Sequence, residues 1–269
     1  MLEQEEVMTR LNVTMVGEGN PRFVFLHGLF GRGRNLMRIA QGLSGLGASA
    51  LYDLPNHGDS DWTDDFSYAD TVATVVDDII DRFGAHPRLV LAGHSFGGKV
   101  AMLAALSEPS VFAGLAVMDI APSNSAQVSG FGVFLDAMRS LDLSTVTSKA
   151  DADARLAEQI PQPPVRQFLL TNLRDRDGWQ WQPNLDLIDR SLADIADWPI
   201  TAGPSFPGPT AWIVGQQSAY YRPEDIRLMQ QYFPLVRTVE IPAAGHWVHS
   251  DNPEAVISAL AQLSAASPR

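Results

Sequence analysis

The sequence contains no cysteine, so it offers no thiol nucleophile, no thiolate metal ligand and no disulfide. Positive charge is scarce, because 19 Lys and Arg stand against 31 Asp and Glu, giving a formal net charge of −12. No basic stripe is available to neutralise a phosphate backbone, and no stretch approaches the roughly 18 apolar residues of a membrane helix. The acidic start of the chain also lacks the features of a secretory signal. We therefore expect a cytoplasmic protein that binds neither nucleic acid nor a membrane.

What is present is an ordinary globular composition of 269 residues, 45% of them hydrophobic. Short apolar runs predict seven strands, at residues 11–16, 23–26, 49–52, 89–92, 115–118, 211–214 and 236–241. Helical patterns separate most of these runs, which favours a mainly parallel sheet with helices on both faces. The sequence therefore predicts an α/β fold.

Two helices are marked by their first residues. Ser67 and Asp70 have the spacing of a capping box ahead of a long amphipathic run, and Asn252-Pro253 combines a cap residue with proline at the first helical position. Between residues 122 and 199 the strand signals stop and helical patterns replace them. We predict a core domain formed by residues 1–121 and 200–269, with a helical insertion at residues 122–199.

One segment has the pattern of a nucleophile elbow. The apolar run 89–92 is followed by Gly93-His94-Ser95-Phe96-Gly97 and then by a helical pattern. A nucleophile between a strand and a helix occupies a strained turn, where glycines relieve crowding of the backbone. Ser95 is therefore the predicted nucleophile, with the helix amino terminus favouring an oxyanion beside it.

A serine nucleophile needs a base, and in this type of sheet the histidine comes last in the chain. Only His246 and His249 follow Ser95. We predict that His246, which comes directly after the last strand, is the base. His249 is the alternative, although its position near the final helix favours a structural role.

The acid is predicted one strand earlier than in many such enzymes. The loop after the strand 211–214 has Ser218 where a carboxylate is expected. Asp119 instead ends the strand 115–118, where catalytic groups collect in open α/β sheets. We therefore predict that Asp119 orients the histidine, with Asp225 as the rival acid.

Two backbone N–H groups are needed to bind the oxyanion. We predict that Phe96 and Leu29 donate them, with Phe30 as the alternative to Leu29. Four aromatic residues are predicted to line the substrate pocket. Phe131 and Phe134 belong to the insertion, Phe30 follows Leu29, and Trp247 follows His246. Aromatic residues at helical spacing are also typical of the insertion's own core.

These motifs resemble those of a known superfamily. The segments that carry the resemblance are His27-Gly28-Leu29-Phe30-Gly31, Asn56-His57-Gly58, Gly93-His94-Ser95-Phe96-Gly97-Gly98-Lys99, Asp119-Ile120-Ala121-Pro122 and Gly245-His246-Trp247. They are similar to the α/β-hydrolase superfamily and, with residues 165–173 of the insertion, to the YbfF-type esterases. The resemblance implies an α/β-hydrolase fold, a helical cap inserted after the sixth strand, and a Ser-His-Asp triad with its acid after that strand.

The predicted function is hydrolysis of carboxylic esters with short or medium acyl chains through an acyl-enzyme, without a metal or a cofactor. Alternatives on the same machinery are acyl-CoA thioester cleavage, carbon–carbon hydrolysis and perhydrolysis. A non-catalytic ligand receptor is a further alternative, because hydrolase folds are sometimes retained for binding. The expected partner is a small-molecule ester or thioester, and the expected state is a monomer or homodimer.

Overall fold

The computed structural model describes residues 9–84, 89–125, 130–200 and 203–267. The strands of this part of the chain are β1 (Val13–Val16), β2 (Pro21–Leu26), β3 (Ala48–Tyr52), β4 (Leu89–His94), β5 (Phe112–Met118), β6 (Leu173–Asp175), β7 (Trp179–Trp181), β8 (Thr210–Gly215) and β9 (Val236–Ile241). The α-helices are α1 (Met37–Gly42), α2 (Tyr68–Phe83), α3 (Phe96–Ser107), α4 (Gly132–Ser140), α5 (Lys149–Leu156), α6 (Pro163–Leu170), α7 (Leu185–Arg190), α8 (Leu192–Ala196), α9 (Ile226–Tyr232), α10 (Val248–Asp251) and α11 (Pro253–Ala266).

Seven of the strands form the central sheet, in the order β1-β3-β2-β4-β5-β8-β9. Only β1 runs antiparallel to its neighbour, and every other pair in this sheet is parallel. All seven predicted strands are present, so the predicted α/β fold is confirmed. Along the described chain, the strand that precedes the insertion is the fifth, β5, and not the sixth as expected.

The sheet is buried on both faces, and β5 shows how the sequence achieves this. Leu115 and Val117 face a cluster that includes α2 and α3, whereas Ala116 and Met118 face a cluster that includes α1 and α11. Successive side chains of a strand point to opposite faces, so a strand covered on both sides needs a continuous apolar run. The parallel sheet therefore holds the carboxyl ends of β4 and β5 side by side.

The two predicted helix starts are confirmed. The Ser67 side chain accepts a hydrogen bond from the Asp70 N–H at 3.0 Å at the start of α2. The Asn252 side chain accepts one from the Ala255 N–H at 3.2 Å, and Pro253 is the first residue of α11. Each cap satisfies an N–H group that the first turn leaves without a partner.

Between β5 and β8 the chain leaves the central sheet and forms α4 to α8. The segment also contains the antiparallel pair β6 and β7, so the expectation that strands are absent from residues 122–199 is wrong. Asp177 and Gly178, which lie between these strands, both have positive φ, a conformation that Asp and Gly adopt in the short turns of β-hairpins.

Side chains from α2 and α3 bind the end of α8, the last helix between β5 and β8. The buried Lys99 Nζ of α3 donates to the carbonyls of Ala196 at 2.6 Å and Asp197 at 2.9 Å. The Tyr68 hydroxyl of α2 donates to the Ile195 carbonyl at 2.7 Å. These bonds satisfy carbonyl groups at the end of α8 that have no partner within the helix. Among the described helices, none is long and apolar enough to cross a membrane.

Candidate active site

The elbow between β4 and α3 presents Ser95 at the carboxyl edge of the sheet. Ser95 has φ 51° and ψ −117°, a backbone conformation that non-glycine residues rarely adopt and that costs about 1–3 kcal/mol. A Cβ on Gly97 would lie 2.4 Å from the carbonyl oxygen of His27, so no larger residue fits there. The strained turn and the close packing behind it are the features expected of a nucleophile elbow.

Three predicted residues form a continuous hydrogen-bonded chain. His246 Nε2 lies 3.0 Å from Ser95 Oγ, and His246 Nδ1 lies 2.8 Å from Asp119 Oδ2. The carboxylate can only accept, so Nδ1 carries the proton and Nε2 is left to accept from the serine hydroxyl. These residues come from β4, the end of β5 and the loop after β9, which adjacent parallel strands bring to one edge.

The Asp119 carboxylate is fully buried and well supplied with donors. Its Oδ1 accepts from the Gly215 N–H at 2.8 Å, and its Oδ2 accepts from the Ser218 hydroxyl as well as from His246. These bonds replace the hydration that the charge loses on burial. The rival acid, Asp225, is paired with Arg222 at 2.9 Å instead.

The imidazole of His246 is enclosed by other rings. The Tyr220 ring stacks against it, with centroids 3.9 Å apart and planes 20° apart. The His94 ring lies 4.8 Å away, and His94 Nε2 donates to the backbone carbonyl of His246 at 2.8 Å. His249 contacts His94 at 4.6 Å rather than bonding to the serine, which fits the structural role expected for it. The contact with Tyr220 was not predicted.

The other histidines near the site are buried and neutral at pH 7. Burial lowers the pKa of His27 and of His249 to about 4, and burial together with the neighbouring His27 lowers that of His57 to about 3. Burial and the neighbouring histidines also lower the pKa of His94. His27 Nε2 accepts from the Leu54 N–H at 3.0 Å while Nδ1 donates to the Gly28 carbonyl at 2.8 Å, so this ring braces two loops.

The loop after β2 lies directly beside the nucleophile. A Cβ on Gly28 would lie 2.8 Å from Nδ1 of His94 and 3.3 Å from the Cβ of Ser95, so a larger residue at this position would displace the buried His94 ring. Leu29, the next residue, lines the same cavity as Ser95. Phe96 is the first residue of α3, where backbone N–H groups have no partner within the helix. Phe96 therefore follows Ser95 directly in the chain, and Leu29 belongs to a loop that lies beside Ser95 in space.

The inserted segment is bonded to this loop. Asn172, fully buried after α6, donates from Nδ2 to the carbonyl of Phe30, which has a positive φ of 57°. Its own Oδ1 is buried and has no partner in the described structure. Asn172 lies within residues 165–173, which carry part of the resemblance, but no local pattern indicates its bond to a residue 142 positions away.

A narrow cavity of about 10 Å³ lies beside Ser95. Phe131 and Trp247, two of the four predicted pocket residues, line it together with Phe168 of α6, whose ring lies 5.8 Å from that of Trp247. Phe30 and Phe134 are not among its lining residues in the described structure. Phe30 is fully buried behind Phe131, and Phe134 packs edge-on against the same ring. No three His, Asp or Glu side chains of the described ranges converge to hold a metal ion.

Comparison with known proteins identifies the family of the chain. A model of the alpha/beta hydrolase family matches residues 23–259. The sn-1-specific diacylglycerol lipase ABHD11 of Mus musculus is 36% identical over 252 residues, covering 91% of this chain and 81% of that protein. A solved structure of a marine microorganism esterase superposes with a TM-score of 0.88 at 30% identity, covering 95% of this chain and 99% of its own. Ethanol acetyltransferase 1 of Kluyveromyces lactis is 26% identical and covers 88% of this chain and 71% of that protein.

The chain belongs to the alpha/beta hydrolase family. Its similarity to esterases and lipases extends over nearly all of its length, which confirms the predicted class, a carboxylesterase-type serine hydrolase.

Proposed function

We propose that the protein hydrolyses carboxylic esters of short or medium acyl chains with Ser95 as nucleophile, His246 as general base and Asp119 as the orienting acid. The observation that carries this proposal is the chain of two bonds, 3.0 Å from Ser95 Oγ to His246 Nε2 and 2.8 Å from His246 Nδ1 to Asp119 Oδ2. A nucleophile, a base and an orienting group in this order are the parts that acyl transfer requires.

In the first half of the proposed reaction, Ser95 Oγ bonds to the ester carbonyl carbon while its proton passes to His246 Nε2. The carbonyl oxygen becomes an oxyanion, which the N–H groups of Phe96 and Leu29 stabilise. Asp119 stays ionised and stabilises the imidazolium. When the tetrahedral intermediate collapses, the carbon–oxygen bond to the leaving group breaks and His246 returns the proton to that alkoxide, leaving an acyl-enzyme and a free alcohol.

In the second half, water replaces the alcohol. His246 takes a proton from the water as its oxygen attacks the acyl carbon, and the same two N–H groups hold the second oxyanion. Collapse breaks the bond to Ser95 Oγ, and His246 returns the proton to the serine. The products are a carboxylic acid and an alcohol, and every proton transfer uses the same imidazole.

We further propose that residues 122–199 act as a cap over a core formed by residues 1–121 and 200–269. Support comes from Phe131 and Phe168, which belong to the inserted segment and line the cavity at Ser95. Three aromatic rings enclose a cavity of only about 10 Å³, which favours a short or medium acyl group over a long one, because a longer chain has to displace more packed side chains.

The test is hydrolysis of p-nitrophenyl esters from acetate to palmitate, beside acyl-CoA thioesters and a diacylglycerol, with Ser95→Ala as the blank. The proposal predicts turnover that peaks at short or medium chains and is lost in the blank. Unchanged turnover in the blank contradicts the proposed nucleophile. A preference for palmitate or for diacylglycerol, the substrate named for the mouse relative, contradicts the proposed chain length.

Acyl transfer to an alcohol is a second candidate, because ethanol acetyltransferase 1 of Kluyveromyces lactis is similar over 88% of this chain. In that reaction an alcohol attacks the acyl-enzyme in place of water, and His246 takes the proton of the alcohol. Adding ethanol to the p-nitrophenyl acetate assay separates the two outcomes. Ethyl acetate formed in preference to acetate supports transfer, and acetate alone supports hydrolysis.

A further inference from the structure

The closest ring contact of the candidate base is with Tyr220, in the loop after β8. The two ring centroids lie 3.9 Å apart with the planes 20° from parallel, so the phenol ring covers one face of the His246 imidazole. Ser218 holds this loop in place, since its Oγ accepts from the Tyr220 N–H at 3.1 Å while its hydroxyl donates to Asp119. The stacked ring and the carboxylate are thus fixed by one serine.

The remaining groups around the imidazole do not oppose a positive charge. Asp119 bonds to Nδ1, Ser95 lies at Nε2, and His94 of β4 lies 4.8 Å away. His94 is held neutral because burial, with the neighbouring His249 and His246, lowers its pKa. His249 of α10, behind His94, is neutral for the same reason, with its pKa lowered to about 4. Among the described residues, the Asp119 carboxylate is the charged group that bonds to the imidazole, whereas Asp251 of α10 accepts from the Gly245 N–H at 2.8 Å.

The Tyr220 ring can stabilise His246 when the imidazole is protonated during the proposed reaction. The imidazole becomes an imidazolium each time it takes a proton from Ser95 or from water. The face of an aromatic ring carries negative charge density, and it attracts a cation within about 6 Å of the ring centroid. A ring parallel to the imidazole at 3.9 Å also prevents it from rotating away from Asp119 and Ser95.

We propose that Tyr220 is a positioning residue that holds the His246 imidazole in line and stabilises its protonated form through the face of the phenol ring. This inference rests on the proposed function, since it requires His246 to be the base. The ring provides the effect and the hydroxyl does not, because the contact runs between the two ring faces. Tyr220 stays neutral at pH 7, because burial and the nearby Asp119 raise its pKa to about 12.

The test compares Tyr220→Phe, which keeps the ring, with Tyr220→Leu, which keeps an apolar side chain without it. The pH profiles of kcat and of kcat/KM are measured with p-nitrophenyl acetate, and thermal unfolding is recorded for each variant. Tyr221→Leu is the matched control, because Tyr221 is the next residue and its hydroxyl donates to Glu240 at 2.9 Å, away from the imidazole. Tyr220→Met replaces the leucine variant if that variant does not fold.

The proposal predicts that Tyr220→Phe stays within about twofold of the parent, while Tyr220→Leu loses about tenfold in kcat with a smaller change in KM. In Tyr220→Leu, the acid limb of the kcat/KM profile moves to lower pH, because the protonated His246 imidazole is less stable without the Tyr220 ring. A parent-like profile for Tyr220→Leu, or an equal loss in both variants, overturns the proposal. Ser95→Ala is run alongside: if it remains active, the proposed function fails instead.

Discussion

The Ser218 hydroxyl donates to Oδ2 of Asp119, the same oxygen that accepts from the His246 imidazole. Ser218 follows β8, and Asp119 follows β5, which pairs with β8 in the sheet. The sequence offered both loops as places for the acid. The structure brings the two loops together. Ser218, in the loop after β8, donates a hydrogen bond to the Asp119 carboxylate at the end of β5.

The choice of acid leads to the first prediction. Asp119→Asn should lower kcat by roughly 10³- to 10⁴-fold, because an amide cannot hold the imidazole in the tautomer that accepts from Ser95. Asp225→Asn is the matched control and should change kcat by less than about threefold, since Asp225 pairs with the exposed Arg222. Steady-state kinetics on p-nitrophenyl acetate checks both. A large loss in the control with a small loss at Asp119 moves the acid to Asp225.

The bond from the inserted segment to the oxyanion loop leads to the second prediction. Asn172→Leu removes the donor to the Phe30 carbonyl and leaves that buried oxygen without a partner, at a cost of about 1–3 kcal/mol in the free energy of unfolding. Because the loop also holds Leu29, we expect kcat to fall about tenfold with a smaller rise in KM. Urea unfolding and steady-state kinetics measure the two effects.

The control for Asn172→Leu is Gln180→Leu, which removes an exposed bond within the β6–β7 hairpin, 3.0 Å from Gln180 Nε2 to the Arg176 carbonyl. Little change is expected in that variant. If Asn172→Leu alters stability but leaves kcat intact, Asn172 supports the fold and not the oxyanion loop.

The aromatic lining of the cavity leads to the third prediction. Phe168→Ala should shift the preferred p-nitrophenyl ester to a longer acyl chain, because the Phe168 ring occupies space beside Trp247 above Ser95. Phe134→Ala removes another half-buried phenylalanine of the inserted segment that does not line the cavity, and it should leave the preference unchanged. If Phe134→Ala shifts the preference as much as Phe168→Ala does, the effect comes from weaker packing of the inserted segment and contradicts a specific role for Phe168 in the cavity.

The buried histidines lead to the fourth prediction. The pKa of His27 is lowered to about 4 and that of His57 to about 3 in the folded protein, against an ordinary value of 6.5. Below pH 6.5 the unfolded chain therefore binds protons that the folded protein does not, so stability is complete above that pH and is lost as pH falls towards 4. Between pH 7.5 and 5.5, each such histidine should reduce the free energy of unfolding by about 1.4 kcal/mol.

Urea unfolding at pH 7.5 and 5.5 measures this loss. His57→Leu should lose less stability over the same interval than the parent, whatever its stability at pH 7.5, because it has one fewer group to protonate. A free energy of unfolding that stays constant over this interval contradicts the neutral, buried state of these histidines.

Periodicity and local chemistry were sufficient to predict the sheet and two helix caps. The strands of a buried parallel sheet are continuous apolar runs such as residues 115–118, and Ser67 and Asn252 precede helices because their side chains cap them. The β6–β7 hairpin was missed although its signal is present. Asp177-Gly178 is a typical hairpin turn, and Trp179 and Trp181 alternate with Gln180.

The site was predictable only where a motif is local. Ser95 lies between a strand and a helix in a pattern that specifies its own geometry, and His246 and Asp119 follow strands that end at the same edge. Tyr220 gave no such signal, because its contact joins the loop after β8 to the loop after β9. Contacts between loops depend on how the loops fold over the sheet edge, which periodicity does not specify.

The central claim is that Ser95 is the residue that becomes acylated. Incubation with a fluorophosphonate probe, followed by proteolysis and mass spectrometry, locates the modified residue directly and requires no knowledge of the natural ester. The account predicts a single modification on Ser95, absent from Ser95→Ala and much slower in Asp119→Asn. Modification of another residue, or equal labelling of Ser95→Ala, would contradict it.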